Sequence, residues 1–377
     1  FQVSYYLLIS RERQVQMDKI ELLLKELTES DGVAGYEGET GKVIKKYFEP
    51  LGEVLGDKLG SVICRKKSLA QEPKVILAGH MDEIGFMVKL ITKEGFLKFT
   101  PLGGWWDQVL LGHRVRVKTN KGSILGVIGA KPPHVLSEEE RKKVVEKKDM
   151  YVDIGATSQQ EVEDAGVRVG DPIIPVSEFA VLPGMKSYMA KAFDDRVGCA
   201  LVITVLQKLM GKEHPNAVYG VATVQEEVGL RGATTSAEVI NPDVAIILEI
   251  DIAGDVPGIK PEESATKLGG GPTLLVCDAR MIPNLKLRDM VIDTASKLNT
   301  PLQISTRGRG ATDGGAIHLH RIGVPAVVLG VPTRHIHSHN AVIRRDDFDH
   351  AAELVTALVQ GLDKETVAAL TSSAAGL

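Results

Sequence analysis

The chain has 377 residues, of which 25% are charged and 44% hydrophobic, proportions that are typical of a soluble globular protein and that exclude a disordered or membrane-embedded class. This length exceeds one core of ordinary size, so we expect two structural units. With 45 basic against 49 acidic residues, the net charge of −4 provides no broad basic surface for nucleic acid or anionic lipid.

The N-terminal segment is not typical of an export signal, because the charged residues at positions 11–13 follow its apolar run instead of preceding it. Amphipathic helical spacing begins at Met17, and we interpret residues 1–16 as an extension. No run reaches the roughly 18 apolar residues of a membrane span. Three widely spaced cysteines argue against a disulfide framework and against a cysteine zinc site. We therefore predict a cytoplasmic protein.

Residues 17–84 are predicted to form the first part of an α/β domain. Helical patterns follow Met17 and cover residues 39–48, and a short strand is predicted at residues 61–65. The run Lys74-Val-Ile-Leu-Ala-Gly79 is apolar after its first residue, which is typical of a strand that is covered on both faces.

The pattern changes between residues 85 and 176, which we predict to form an inserted β-barrel domain. Short alternating runs such as Arg114-Val-Arg-Val-Lys118 are separated by Gly, Pro and Asn turns. A charge-rich stretch at residues 137–148 interrupts these runs, and we expect it to be a short solvated helix or a mobile loop.

Residues 177–365 return to α/β spacing and complete the first domain. Helices are predicted at residues 195–210, 284–298 and 348–362, and strands at 217–223, 244–248 and 326–329. The sequence therefore predicts one α/β domain that is interrupted by a small β-barrel.

Ligand-type side chains follow four of the apolar strands. They are His80, the pair Glu226 and Glu227, Asp251, and one of the three histidines His335, His337 and His339. The carboxyl ends of strands in an open α/β sheet border one crevice, so these side chains are expected to converge although they are distant in sequence. Asp194 stands where a helix is expected to begin and is a fifth candidate.

Two histidines and three carboxylates suit a pair of divalent ions such as zinc, with one carboxylate between them. We predict that Asp194 bridges both ions and that His80 and Asp251 complete one site. Glu227 and one of the three candidate histidines are predicted to complete the other. Spacing does not choose among the three histidines.

The adjacent carboxylates Glu226 and Glu227 would repel each other in a dry cleft if both were ionised, and a metal ion that holds one leaves the other able to accept a proton. We predict that Glu226 is the general base, which takes a proton from the attacking water and passes it to the leaving amine. Asp82, two residues after His80, is predicted to orient that imidazole through its other nitrogen.

Each of these residues also has an ordinary interpretation. A single buried His or Asp is more often only hydrogen-bonded, and Asp194 alone would suit a helix N-cap. The Gly-rich segment at residues 308–315 lacks the Lys-Ser/Thr ending of a phosphate loop, so we interpret it as a tight turn that lines the cleft. The recurrence of ligand-type residues at four strand ends favours the metal site.

The sequence resembles the dinuclear metallo-aminopeptidases that include the glutamyl and the deblocking, tetrahedral aminopeptidases, some of which carry endoglucanase names. The motifs are Ala78-Gly-His-Met-Asp-Glu-Ile-Gly85, Lys191-Ala-Phe-Asp-Asp-Arg196, Gln225-Glu-Glu-Val-Gly229, Asp251-Ile-Ala-Gly-Asp-Val-Pro-Gly258, Ala311-Thr-Asp-Gly-Gly-Ala-Ile-His318 and Pro332-Thr-Arg-His-Ile-His-Ser338. In the last motif the family usually has Tyr where this chain has His335, so the resemblance selects His337 as the ligand.

This resemblance implies a three-layer α/β/α metallopeptidase domain of the zinc-exopeptidase type, with zinc or cobalt as the ions. It also implies a cis peptide bond between Asp194 and Asp195. The inserted barrel would make dimer contacts within a hollow shell of twelve subunits. The segment Pro132-Pro-His-Val135 would reach towards a neighbouring subunit, although a rigid turn explains it as well.

The leading hypothesis is an aminopeptidase that hydrolyses the N-terminal residue of short peptides. One alternative is a glycoside hydrolase, which uses two carboxylates and no metal in its usual form. A second alternative is a non-enzymatic, metal-stabilised shell or carrier, which would release no amine from any aminoacyl substrate.

Overall fold

The computed structural model describes residues 17–66, 68 and 70–371. The extension that we predict at residues 1–16 lies outside this part of the chain. No helix in the described part is long and apolar enough to cross a membrane.

The first segment forms two helices and three strands. They are α1 (Lys19–Glu29), α2 (Gly38–Phe48), β1 (Gly52–Gly56), β2 (Val62–Lys66) and β3 (Lys74–His80). Helix α1 begins after Asp18, whose carboxylate accepts hydrogen bonds from the peptide N–H groups of Ile20 and Glu21, both at 2.9 Å. Strand β3 is buried after its first residue, as its apolar run predicts.

Six strands of the insertion close into a barrel. The elements in chain order are β4 (Gly85–Ile91), β5 (Leu97–Leu102), β6 (Arg114–Thr119), β7 (Gly122–Gly129), α3 (Glu138–Arg141), β8 (Tyr151–Asp153), α4 (Gln159–Asp164) and β9 (Pro172–Pro175). Alternate residues such as Phe86, Val115 and Val152 fill the interior. The charge-rich stretch contains the short helix α3 and the start of a 3-10 turn at Lys147–Asp149, and it is largely exposed, as expected for a short solvated helix.

The last segment carries most of the helices. Its elements are β10 (Ala180–Leu182), β11 (Ser187–Ala190), α5 (Phe193–Lys208), β12 (Ala217–Thr223), α6 (Arg231–Ile240), β13 (Val244–Ile252), β14 (Thr273–Leu275), α7 (Leu285–Lys297), β15 (Gln303–Ser305), α8 (Gly314–Ile317), β16 (Ala326–Thr333), β17 (Ala341–Arg344), α9 (Arg345–Gly361) and α10 (Lys364–Thr371). Strands β10, β11 and β17 form a small separate sheet.

The central sheet has the order β1-β2-β12-β3-β13-β16-β14-β15, and its middle strands β12, β3, β13 and β16 are parallel. One face packs against α1, α2, α5, α7 and α9, and the other against α6 and α8. This is the three-layer α/β/α arrangement with an inserted barrel, so the predicted fold class is confirmed. Parallel strands place their carboxyl ends at one edge, and this edge faces the barrel loop that follows β5.

Candidate metal centre

The predicted site residues converge at the carboxyl edge of the central sheet. His80 ends β3, Glu226 and Glu227 follow β12, and His337 follows β16. They line a cleft of about 380 Å³, and the barrel contributes Gly104 to its wall. The structure therefore brings together side chains from strands that are distant in sequence.

Asp194 lies between the two histidines. Its Oδ1 is 3.0 Å from His80 Nε2, and its Oδ2 is 3.2 Å from His337 Nε2. Although burial opposes ionisation, hydrogen bonds from His337 and His80 hold the pKa of Asp194 well below its usual value. The peptide bond between Asp194 and Asp195 is cis, as the resemblance implies.

Glu227 completes the half of the cleft next to His337. Its Oε1 lies 3.4 Å from His337 Nε2 and is buried without a hydrogen-bond partner. Burial and the neighbouring charge of Asp194 raise the pKa of Glu227 to about 7. His80, Asp194 and Glu227 each offer a ligand atom within 4.8 Å of the others, which is close enough for one ion.

Glu226 points into the same space without a neutralising partner. Its Oε2 is 3.9 Å from His80 Nε2 and its side chain is only 10% exposed. Burial raises the pKa of Glu226 well above its usual value, and the charges of Asp313, Glu249 and Glu227 add to this effect although that of His80 opposes it. Glu226 is thus a carboxylate that favours holding a proton.

Asp82 lies beside Nδ1 of His80 and also contacts the loop that carries the two glutamates. The Nδ1 atom of His80 lies 3.1 Å from the main-chain oxygen of Asp82 and 3.5 Å from its carboxylate, so the main chain is the nearer partner. The carboxylate of Asp82 also accepts hydrogen bonds from the peptide N–H groups of Glu226 at 3.0 Å and Glu227 at 3.1 Å. Asp82 therefore connects β3 to the loop that carries the two glutamates.

The structure brings Glu249 beside His80, at the place where the sequence predicts Asp251. Glu249 Oε1 is 3.9 Å from His80 Nε2, and burial and the charge of Asp194 raise its pKa to about 8. Asp251 accepts a hydrogen bond from Arg307, whose Nε lies 2.8 Å from its Oδ1, and forms an ion pair with it, while its Oδ2 is buried without a hydrogen-bond partner. Sequence reasoning missed Glu249, although a lone glutamate inside a buried apolar strand was a signal that could have identified it.

The register between strands explains why Glu249, and not Asp251, lies beside His80. Strands β3 and β13 pair from Val75 and Val244 to Ala78 and Ile247. Two further residues along the same register bring Glu249 level with His80, whereas Asp251 stands two more residues along the strand, about 6–7 Å beyond.

Two further acids lie near the centre without pointing freely into it. Asp195 accepts hydrogen bonds from the peptide N–H of His80 at 3.1 Å and of Gly198 at 2.9 Å, so both of its oxygens are engaged. Asp313, in the Gly-rich segment, accepts a 2.5 Å hydrogen bond from Thr223, and burial raises its pKa to about 6. These groups support the residues that face the cleft.

The three candidate histidines occupy different environments. His335 is exposed, and His339 is buried with neither ring nitrogen hydrogen-bonded. His337 is the one whose Nε2 approaches Asp194 and Glu227, and its Nδ1 lies 2.6 Å from the main-chain oxygen of Gly104. The geometry therefore favours His337, the residue that the resemblance selects.

This donor set fits divalent cations. His80 and His337 each place Nδ1 against a main-chain oxygen, which in the neutral ring leaves the Nε2 lone pair facing Asp194. The unpartnered oxygen of Glu227 and the pKa values of Glu227 and Glu249, which burial raises, indicate carboxylates whose burial the positive charge of the neighbouring side chains does not fully offset. Divalent cations in this cleft would supply the missing positive charge.

Comparisons with known proteins identify a family that this chain resembles over most of its length. The sequence pattern of the M42 glutamyl aminopeptidase family matches residues 60–354. A lysyl aminopeptidase of Pyrococcus furiosus is 36% identical, with 90% of this chain and 96% of the relative covered. A glutamyl aminopeptidase of Lactococcus lactis subsp. cremoris is 34% identical, with 92% and 97% covered.

Solved structures share the complete architecture. A TET aminopeptidase from the marine sediment archaeon Thaumarchaeota archaeon SCGC AB-539-E09 has 52% identity and a TM-score of 0.92, with 94% of this chain and 99% of that chain covered. The structure of PhTET1-12s, a dodecamer in the asymmetric unit, has 32% identity and a TM-score of 0.82, with 92% and 100% covered.

Proposed function

The chain belongs to the M42 glutamyl aminopeptidase family and is an aminopeptidase, a hydrolase that acts on N-terminal residues, and from this premise we propose that it cleaves short peptides with two divalent metal ions and Glu226 as the general base. The observation that carries this proposal is the position of Asp194 between the Nε2 atoms of His80 and His337. The family does not favour the alternative hypotheses of a glycoside hydrolase and a non-enzymatic shell.

The proposed ligands divide into two sets that share Asp194. His80 and Glu249 would hold one ion, and Glu227 and His337 the other, with zinc or cobalt suited to such nitrogen and oxygen donors. When bound, the ions polarise the scissile carbonyl group and neutralise the charge that develops on its oxygen.

The protein's own groups supply positioning and proton transfer. Glu226 faces the cleft beside His80, and its raised pKa suits a group that accepts a proton from the attacking water and then delivers it to the leaving amine. Asp82 holds the peptide groups of Glu226 and Glu227 and so fixes both carboxylates relative to β3. This division gives the two adjacent glutamates different roles.

Removal of metal is expected to abolish turnover, and metal uptake is expected to release protons. The pKa values of about 7 for Glu227 and about 8 for Glu249 mean that both are partly protonated at neutral pH without metal, whereas a ligand must be ionised. The pKa of His337, raised to about 9 by its hydrogen bond to Asp194 although burial opposes this, means that this ring must also lose a proton. Metal affinity should therefore rise as pH rises from about 6 to about 9. Calorimetric titration of the chelator-treated protein with zinc, in buffers of different ionisation enthalpy, measures both effects.

The outcome of chelation also separates the enzyme classes. Zinc or cobalt should restore hydrolysis of aminoacyl-anilides after the chelator is removed. Full turnover of an aminoacyl-anilide by the metal-free protein would contradict the proposal. A glycoside hydrolase with two catalytic carboxylates would instead hydrolyse a glycoside without metal.

The rim of the cleft carries cations that suit a carboxylate on the substrate. Arg280, Arg307 and Arg309 line the cleft, and Arg307 is paired with Asp251. Arg280 and Arg309 are exposed, and no ion pair is found for either guanidinium group within the part of the chain that the structure describes. We propose that they favour peptides with an acidic N-terminal residue, because a guanidinium group binds a carboxylate with charge-assisted hydrogen bonds.

Replacement of both exposed arginines tests this preference. The Arg280→Met/Arg309→Met variant should lower kcat/KM for a glutamyl-anilide by about tenfold or more, the scale of one lost charge-assisted hydrogen bond, while the neutral glutaminyl-anilide changes little. Arg321→Met, which removes an exposed partner of Glu238 elsewhere, is the matched control. An unchanged ratio between the two substrates would exclude the proposed role of the arginines.

The predicted assembly and location extend this proposal. A dodecamer built from dimers is supported by the dodecameric PhTET1-12s structure and by exposed apolar side chains on the barrel, among them Trp106 and Leu125. Short peptides as substrates follow from the aminopeptidase activity. The cytoplasmic location stays a prediction from the sequence.

A further inference from the structure

A loop of the barrel makes direct contact with the catalytic cleft. Between β5 and β6, the main-chain oxygen of Gly104 lies 2.6 Å from His337 Nδ1. A Cβ atom at Gly104 would stand 3.1 Å from the same nitrogen, and one at Gly103 would stand 3.0 Å from Glu227 Oε2. The loop therefore approaches both residues of one proposed ligand set as closely as glycine allows.

The residue after Gly104 anchors this loop to the barrel. Trp105 is buried, and its indole N–H donates a 3.1 Å hydrogen bond to the main-chain oxygen of Gly85. Lys147 donates a 2.7 Å hydrogen bond to the main-chain oxygen of Trp105 and also pairs with Asp107. These contacts hold the carbonyl group of Gly104 in place from the barrel side.

A row of rings connects the barrel core to the segment that carries His337. The ring centroid of Phe86 lies 4.8 Å from that of Phe99 and 4.9 Å from that of Trp105, on which Phe86 stacks. The ring centroid of Trp105 lies 5.3 Å from that of His339. His339 in turn stacks on His113 of the barrel at 4.0 Å, with 15° between the planes. Neither ring nitrogen of His339 has a hydrogen-bond partner in the described part of the chain, so this side chain contacts the barrel through its flat ring and not through hydrogen bonds.

We infer that the barrel is part of the active centre, in which the Gly104 carbonyl group and the ring of His339 position His337 for metal binding. This inference rests on the proposed function, since it takes His337 as a ligand. A hydrogen bond from Nδ1 to a carbonyl oxygen fixes the ring orientation and leaves Nε2 free, and loss of such a partner typically lowers metal affinity by about 10–100-fold. The ring of His339, through its contacts with Trp105 and His113, holds the same segment against the barrel.

Gly104→Ala tests the contact with little other change. The residue has no positive φ angle, so the backbone accepts alanine, and the new Cβ atom must displace His337 by a few tenths of an ångström. In a cobalt(II) titration we expect one of two binding steps to weaken by about tenfold or more and the visible spectrum of the bound cobalt to change. Gly38→Ala, where a Cβ atom meets nothing within 4 Å, is the control.

The His339 variants separate positioning from folding. His339→Phe keeps a flat ring and should retain the cobalt spectrum, whereas His339→Ala should weaken the same binding step as Gly104→Ala. The Tm of the metal-free Gly104→Ala protein should equal that of the metal-free unaltered protein. Wild-type cobalt affinities and spectrum in Gly104→Ala would overturn the inference. If the unaltered protein bound no cobalt, the proposed metal centre itself would be wrong, and this inference with it.

Discussion

Glu226→Gln should retain two metal equivalents and lose turnover by about two or more orders of magnitude, the usual scale for loss of a general base. The amide matches the carboxylate in shape but cannot accept the proton of the attacking water. Glu226 faces His80 at 3.9 Å and is not needed in either proposed ligand set. The measurement is kcat for an aminoacyl-anilide together with metal content by elemental analysis.

The control for this variant is Glu213→Gln, an exposed position on the loop after α5. It should keep the kcat and the metal content of the unaltered protein. Full turnover in Glu226→Gln would end the assignment of the base. Loss of metal from the same variant would instead make Glu226 a ligand.

Asp194→Ala should remove both metal ions, because its two oxygens face one histidine each, at 3.0 Å from His80 and 3.2 Å from His337. A bridging carboxylate contributes to both sites, so its loss leaves each site short of a ligand. Turnover should fall to the background rate. Elemental analysis after gel filtration gives the number of ions that remain, and two retained equivalents would contradict the bridge.

Two isosteric substitutions on β13 extend the measurement of metal content to the proposed ligand Glu249. Glu249→Gln should lower the content to about one equivalent, since it changes one site only. Asp251→Asn should keep both, because Asp251 bonds with Arg307 and the asparagine oxygen can still accept that hydrogen bond. The reverse result would restore Asp251 to the predicted ligand set.

The sequence predicted those elements whose residue pattern is compatible with only one type of secondary structure. The apolar run that becomes β3 and the alternating runs of the insertion each match a single kind of strand, and so the α/β domain and the barrel were predictable. Strands as short as β14 and β15 were missed, because three residues carry no measurable period.

Ligand identity was less predictable than ligand location. Acids two residues apart on a strand share a face, so periodicity cannot choose between Glu249 and Asp251. Their positions along the strand depend on the register between β3 and β13, which pairing between distant segments determines. The carboxylate of Asp82 lies 3.5 Å from His80 Nδ1, and it also accepts hydrogen bonds from the peptide groups of Glu226 and Glu227, which no sequence pattern indicated.

The sequence by itself determined the fold class, the edge of the sheet at which the site forms, and the residue types available there, because hydrophobic period and strand-end chemistry are local properties. Only the tertiary structure decided which acid stands level with His80 and which atom faces His337 Nδ1. The second of these is a main-chain oxygen of Gly104, and every residue has one. No side-chain pattern could indicate it, since only the packing of the barrel against the sheet brings that oxygen to the cleft.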